Sequence, residues 1–221
     1  MSKELTIEKF MQQVEKHELT ILRDDGLYRH LKLAVPGTDY ESFQIVTWPG
    51  FLAYAGDMGA FTFSRITDMF EFFRGRMNGN HQYWAEKCVA ADKDDGLRKF
   101  CPETFESAVR DDIAGQVEDA SLVDAIVDEV MHNHNGGAAG MESVESALDF
   151  MMSGDFSDVE VDGREFNLNF EGFYEHTIED YTGRFKRCCF ALPWAIQKYD
   201  RVKGELVGAA FKGAIGGGAR D

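Results

Sequence analysis

The sequence predicts an α+β protein in which an N-terminal helix and an antiparallel β-meander pack with a mainly helical C-terminal half. Two patterns carry that prediction. Period-two alternation punctuated by tight-turn dipeptides fills the chain from about residue 18 to residue 66, and apolar residues at helical spacing dominate from residue 67. A third observation, the charge, separates the two regions. Residues 1–100 carry 15 acidic and 13 basic side chains, residues 101–162 carry 16 acidic side chains and one basic one, Arg110, and residues 163–221 carry eight and nine.

Taken in order, Leu5, Ile7, Phe10, Met11 and Val14 recur at three- and four-residue intervals and predict an amphipathic helix that packs on one face of the sheet. ELTILR and LYRHLKLAV flank Asp24-Asp25-Gly26, and FQIVTW and FLAYAG flank Pro49-Gly50; AFTFSRI follows Gly56-Asp57-Met58-Gly59. Strands joined by such short turns are antiparallel, because parallel neighbours need long crossovers. Short helices are expected over residues 67–74 and 83–91. Pro102 suits the first turn of a helix running toward Gly115, since its missing N–H has no partner there in any case. Ser121 is the expected cap of the next helix, which ends near Asn135-Gly136-Gly137, and an acidic helix spans about residues 142–152 with Val144, Leu148 and Met151 facing in. Val159, Val161, Phe166, Leu168 and Phe170 alternate around Asp162-Gly163 and predict a β-hairpin. Residues 185–202 read as a helix that Pro193 kinks or restarts, and the glycine-rich end, GAIGGGARD, is expected to fray. The seam falls at residue 100. Residues 1–100 form the sheet with its helices, and residues 101–221 form the acidic helices, the hairpin and the closing helix, packed as one unit.

The 221 residues are 44% apolar, enough for a core, which excludes full-length disorder. No segment approaches the roughly 20 apolar residues of a membrane span, and the first residues lack the apolar run of a secretory signal, so a cytoplasmic location without membrane contact is expected. The sequence contains no GxSxG, HExxH or phosphate-binding loop. Cys88, Cys101, Cys188 and Cys189 form no CxxC pair and read as free, buried thiols. Phe61, Phe63 and Ile66 are expected in the core.

Two metal patterns have structural competitors. Asp158, Glu160, Asp162 and Gly163 occupy positions one, three, five and six of a calcium loop, but Asn169 replaces the bidentate Glu at position twelve, and the flanking alternation fits the hairpin better. Asp92, Asp94 and Glu103 fail as a second loop because Leu97 stands where Gly is required. His132 and His134 diverge by about 200° if helical and share a face only if extended. A metal-dependent enzyme using these histidines and nearby carboxylates is therefore the alternative function, and no cofactor is expected under the leading one.

FQIVTWPGFLAYAGDMGAFTFSRITDMFEFF and RCCFALPWAIQKYD resemble a group of proteins encoded by tailed phages and prophages. The likeness spans about residues 5–90 and 185–200 and leaves out the acidic middle. It implies a phage-type protein in a bacterial cytoplasm, and it carries over no activity and no catalytic residue.

The acidic block supplies the functional expectation. Glu142, Glu145 and Asp149 recur at i, i+3 and i+7, and Asp124 and Asp128 lie four apart beside Glu129. Helical neighbours at this spacing are about 5–6 Å apart at Cβ, a scale comparable with phosphate repeats along nucleic acid. The expected partner surface comprises Glu103, Glu106, Asp111, Asp112, Glu118, Asp119, Asp124, Asp128, Glu129, Glu142, Glu145 and Asp149. It would mimic nucleic acid and engage a basic, nucleic-acid-binding host protein such as a nuclease, restriction enzyme or CRISPR effector. Direct binding to nucleic acid is not expected, because the field repels phosphate. A structural or assembly module that forms a homodimer through an apolar face around Trp194 is a third reading.

Overall fold

The computed structural model describes residues 5–75, 80–138 and 140–216, with side chains to residue 204. The chain divides into two units. One joins Met1–Leu97 to Thr182–Asp221, and the other, Arg98–Tyr181, is an insertion within it. Expected and observed divisions differ in the last helix, which joins the N-terminal sheet.

The first unit is built on a six-stranded antiparallel meander. Its strands are β1 (Glu18–Asp25), β2 (Tyr28–Ala34), β3 (Phe43–Trp48), β4 (Phe51–Gly56), β5 (Gly59–Ser64) and β6 (Cys88–Ala90), adjacent in that order. Gly26 and Gly50 carry the turns β1–β2 and β3–β4 at φ of 60° and 85°, a left-handed region that glycine enters without the strain a side chain adds. Alternation then fixes the inner face: Leu31, Leu33, Phe43, Ile45, Leu52, Tyr54, Phe61 and Phe63 are all buried. Ile66 is not core; it lies beyond the end of β5 and is exposed. The helix expected over residues 83–91 is split into α3 (His81–Ala85), capped by Asn80, and strand β6, because residues 88–90 pair with β5 through Thr62↔Ala90 and Phe63↔Cys88.

The helix covering the inner face is α7 (Gly183–Gly216). Phe185 packs against Phe61 and Phe63 at ring distances of 5.4 and 6.4 Å, and Trp194 reaches Phe43 at 6.2 Å. The first helix, α1 (Ile7–Gln13), packs on α7 through Phe10, whose ring lies 5.9 Å from those of Phe190 and Trp194. The reason is amphipathicity: α7 buries Phe185, Cys188, Cys189, Leu192, Ala195 and Ile196, whereas α1 buries only Phe10, with Val14 at its cap. Trp194 is 4% exposed, which corrects the expectation of a self-association face around it. The helix is continuous through Pro193, whose missing N–H leaves the Cys189 carbonyl without its usual helical donor. It extends to Gly216, and the remainder of the expected frayed tail lies outside the described residues. Among the described residues, no helix is long and apolar enough to cross a membrane.

Polar contacts fasten this unit. Arg29 donates to both Asp68 oxygens at 2.8 and 2.9 Å, Asp68 caps α2 (Met69–Phe73) by accepting from the Phe70 N–H, and Arg74 grips Asp200 of α7 at 2.7 and 2.8 Å. Cys188 and Cys189 are buried free thiols, and burial pushes both well above the usual thiol range, whereas Cys88 and Cys101 are free but only half-buried, which corrects the expectation that all four are core.

Candidate functional site

The inserted unit begins and ends in a two-stranded ladder, β7 (Arg98–Phe100) against β10 (Glu179–Tyr181), in register Arg98↔Tyr181. Between them stand α4 (Pro102–Gln116), α5 (Val123–His132), α6 (Val144–Ser153) and the hairpin β8 (Val159–Val161) and β9 (Arg164–Phe166). Each helix turns an apolar stripe inward. Phe105, Val109 and Ile113 of α4 join Ile126, Val127 and Val130 of α5, Ala147 and Met151 of α6, and Phe156, Phe170 and Phe173 in one core. Pro102 opens α4 as expected. Ser121 does not cap α5. It lies in a 3-10 turn, Ala120–Leu122, where the Asp119 carboxylate accepts from its N–H and hydroxyl at 3.1 and 2.6 Å. Glu142 precedes α6, whose cap is Ser143, so the expected stripe Glu142, Glu145, Asp149 is not one helical row.

The apolar stripes leave the acids outside. Ten of the twelve candidate carboxylates are exposed, and Asp112 and Glu129 are half-buried. The insertion holds 21 Asp and Glu against Arg98, Lys99, Arg110 and Arg164, a net charge of −17, while the rest of the chain sums to +1. The charge boundary thus follows the structural one.

The carboxylates occupy several faces. At 100° per residue, Glu106 and Asp111 are about 140° apart around α4, whereas Asp124 and Asp128 are only about 40° apart on α5. Arg110 brings Glu106 and Asp124 together, donating to Glu106 at 3.4 Å and to Asp124. Asp119 lies 3.7 Å from Arg164, and the Ser121 hydroxyl holds its carboxyl below the usual range. Asp128 pairs with His132 at 3.1 Å, Glu129 accepts from Asn133 at 2.9 Å, and Asp149 accepts from Ser153 at 3.2 Å. The Glu103 carboxyl, lowered chiefly by its own backbone N–H, accepts from the Cys101 thiol at 3.3 Å. Asp111, Glu118, Glu142 and Glu145 make no ion pair or side-chain hydrogen bond among the described residues.

The metal patterns resolve into structural features. His132 Nδ1 meets the Asp128 carbonyl at 3.1 Å, whereas His134 Nε2 meets the Asp155 carbonyl at 2.6 Å and its ring stacks on Phe156. The two rings thus serve separate contacts. The calcium-like segment is a two-residue hairpin turn with Asp162 and Gly163 at φ of 52° and 70°, the geometry that favours Asp-Gly. Near Asp92 and Asp95 the cation is Arg184, at 3.5 and 3.2 Å. Among the described residues no group of three His, Cys, Asp or Glu is placed to hold a metal.

One concavity was not foreseen. Asp111, Asp112, Gln116, Asn169, Glu175 and His176 line an open groove of about 730 Å³. His176 Nε2 lies 2.8 Å from Asp112, and the Gln116 amide donates to the Asn169 carbonyl at 2.9 Å and accepts from its N–H at 2.8 Å. These partners are 64 and 53 residues apart, and no local pattern announces them.

Fold and site together define an α+β protein that carries its negative charge on an inserted, mainly helical unit. No family model matches the chain, and neither curated proteins nor solved structures give a match.

Proposed function

We propose that the inserted unit is a binding module that occupies the basic nucleic-acid-binding surface of another protein and so denies it nucleic acid. One observation carries this reading: a net charge of −17 confined to residues 98–181 beside a nearly neutral remainder. Acidity that served only solubility would have no reason to stop at a structural boundary. Because the carboxylates occupy several faces, the attraction rests on the field of the whole unit and on the unpaired acids, more than on one helical ruler matched to phosphates. Electrostatic steering of this kind speeds encounter and selects partners of opposite sign. The phage-like stretches lying in the other unit favour a bacterial nuclease, restriction enzyme or CRISPR effector as the partner.

The test is capture from a bacterial host lysate at low and high salt, followed by competition between this protein and nucleic acid for each purified captive. The expected result is a nucleic-acid-binding captive that is held at low salt, released at high salt and blocked from its substrate. Charge reversal at Asp124, Asp128, Glu142, Glu145 and Asp149 should abolish the block. Undiminished inhibition by that folded variant rejects the charge mechanism.

A further inference from the structure

We propose that residues 98–181 form a folding unit gated by ionic strength, ordered when its charge is screened and opening ahead of the sheet unit when it is not. Two independent observations lead there: the chain divides at Leu97/Arg98 and Tyr181/Thr182, and the whole charge imbalance falls on one side of that division. The proposal concerns the folding of this unit and requires no partner.

A unit of 84 residues has a radius of gyration of about 12 Å when folded and nearly 30 Å when unfolded. The Debye length is about 30 Å at 10 mM salt and about 8 Å at 150 mM. At 10 mM every carboxylate of the folded unit therefore feels all the others, and opening relieves that repulsion. At 150 mM only near neighbours interact, and the folded state loses much of its penalty. The sheet unit, at net +1, has no comparable self-repulsion to screen.

Three of the four cations of the insertion are already engaged, and Lys99 alone has no partner among the described residues. Arg110 is shared by Glu106 and Asp124, Arg164 faces Asp119, and Arg98 lies 4.2 Å over the Tyr181 ring and donates to its hydroxyl at 2.6 Å. Asp111, Glu118, Glu142 and Glu145 add charge without any internal partner among the described residues. Attachment through the short ladder β7–β10 lets the insertion open while its ends stay paired, as a cooperative sub-global unit does.

Hydrogen exchange of the full chain at neutral pH, resolved by peptide, tests this at about 10 and 150 mM sodium chloride. Amides of α4, α5 and α6 should gain about tenfold or more in protection with salt, while those of β2 to β5 change less than about twofold. Equal gains in both units, or none in the helices, overturn the proposal. Potassium and choline chlorides should act like sodium chloride; a response to one cation alone indicates a specific ion site and also overturns it. The triple substitution Asp111→Asn, Glu142→Gln and Glu145→Gln removes exposed charge without touching the core, and should raise protection at low salt and shrink the salt response. An unchanged response in that variant refutes screening as the cause.

Discussion

The guanidinium of Arg110 on α4 donates to the carboxylate of Asp124 on α5, joining two helices through the one cation present in residues 101–162. Arg110 is partly exposed and Asp124 almost fully so, and an exposed pair contributes only about 0.2–1 kcal/mol. Arg110 also serves Glu106, and it lies inside a field of one sign. Arg110→Gln should therefore destabilise the inserted unit by about 1 kcal/mol at low ionic strength, with the loss shrinking as salt is added. Urea titration at two salt concentrations, followed by a probe within residues 98–181, measures it. A loss that does not depend on salt would mean that Arg110 acts by packing its stem.

The sheet unit has its own charge lock, at Asp68. Hydrogen bonds from Arg29 hold the Asp68 carboxyl below the ordinary carboxylate value despite partial burial, and the same carboxylate caps α2. A carboxyl lowered in the folded state binds its proton less tightly there than in the unfolded chain. Its stabilisation is therefore complete above about pH 4 and is lost as pH falls through the lowered value. Asp68→Asn should cost about 2 kcal/mol at pH 7, and the cost should shrink as pH falls through the lowered carboxyl value, where the native carboxylate itself takes up a proton. Denaturation midpoints of the two proteins should converge as pH drops; parallel curves would show that the carboxylate's charge is not what Arg29 reads.

The meander was legible because each strand carries its own evidence. FQIVTW buries Phe43, Ile45 and Thr47 and exposes the residues between, and its turn to the next strand is the dipeptide Pro49-Gly50. The three residues of β6 are too few to hold a period, and its identity comes from pairing with β5 some 25 residues earlier. The insertion was hidden for the same reason on a larger scale. RKF and EDY, the strands that close it, are unremarkable triplets whose pairing spans about 80 residues. The charge of the candidate site was written in the composition, whereas the directions of its side chains were not. Glu142 and Glu145 share a helical spacing, but Ser143 caps α6 between them and only Glu145 is helical. Spacing predicts a shared face only where the helix has already begun.

Close backbone packing makes Gly56 intolerant. It ends β4 opposite Phe43, and a Cβ there would lie 2.2 Å from the Ser42 carbonyl oxygen and 2.6 Å from the Phe43 Cα. These are backbone atoms at the start of the neighbouring strand and just before it, and they cannot step aside as a side-chain tip would. Gly56→Ala should cost about 3 kcal/mol or more and lower the thermal midpoint of the sheet unit. Gly115→Ala, at a helical position with open space around it, is the matched control and should be neutral or mildly stabilising. Equal tolerance at both positions would contradict the β3–β4 register.

Tyr54 presents the opposite case, a group whose removal should help. Its ring is part of the inner sheet face, 5.1 Å from that of Phe43, and the side chain is 1% exposed. The hydroxyl is buried without a hydrogen-bond partner among the described residues, and burial pushes the phenol well above its usual range. Desolvating a hydroxyl without pairing it costs about 1–3 kcal/mol. Tyr54→Phe keeps the ring and deletes the uncompensated oxygen, so it should stabilise the sheet unit by about 1 kcal/mol, at the price of a void smaller than a water molecule. Calorimetry should show the midpoint of that unit rising while the inserted unit is unaffected. A fall would mean that the oxygen is paired in solution, and Tyr54 would then belong to the polar fastening of α7 to the sheet.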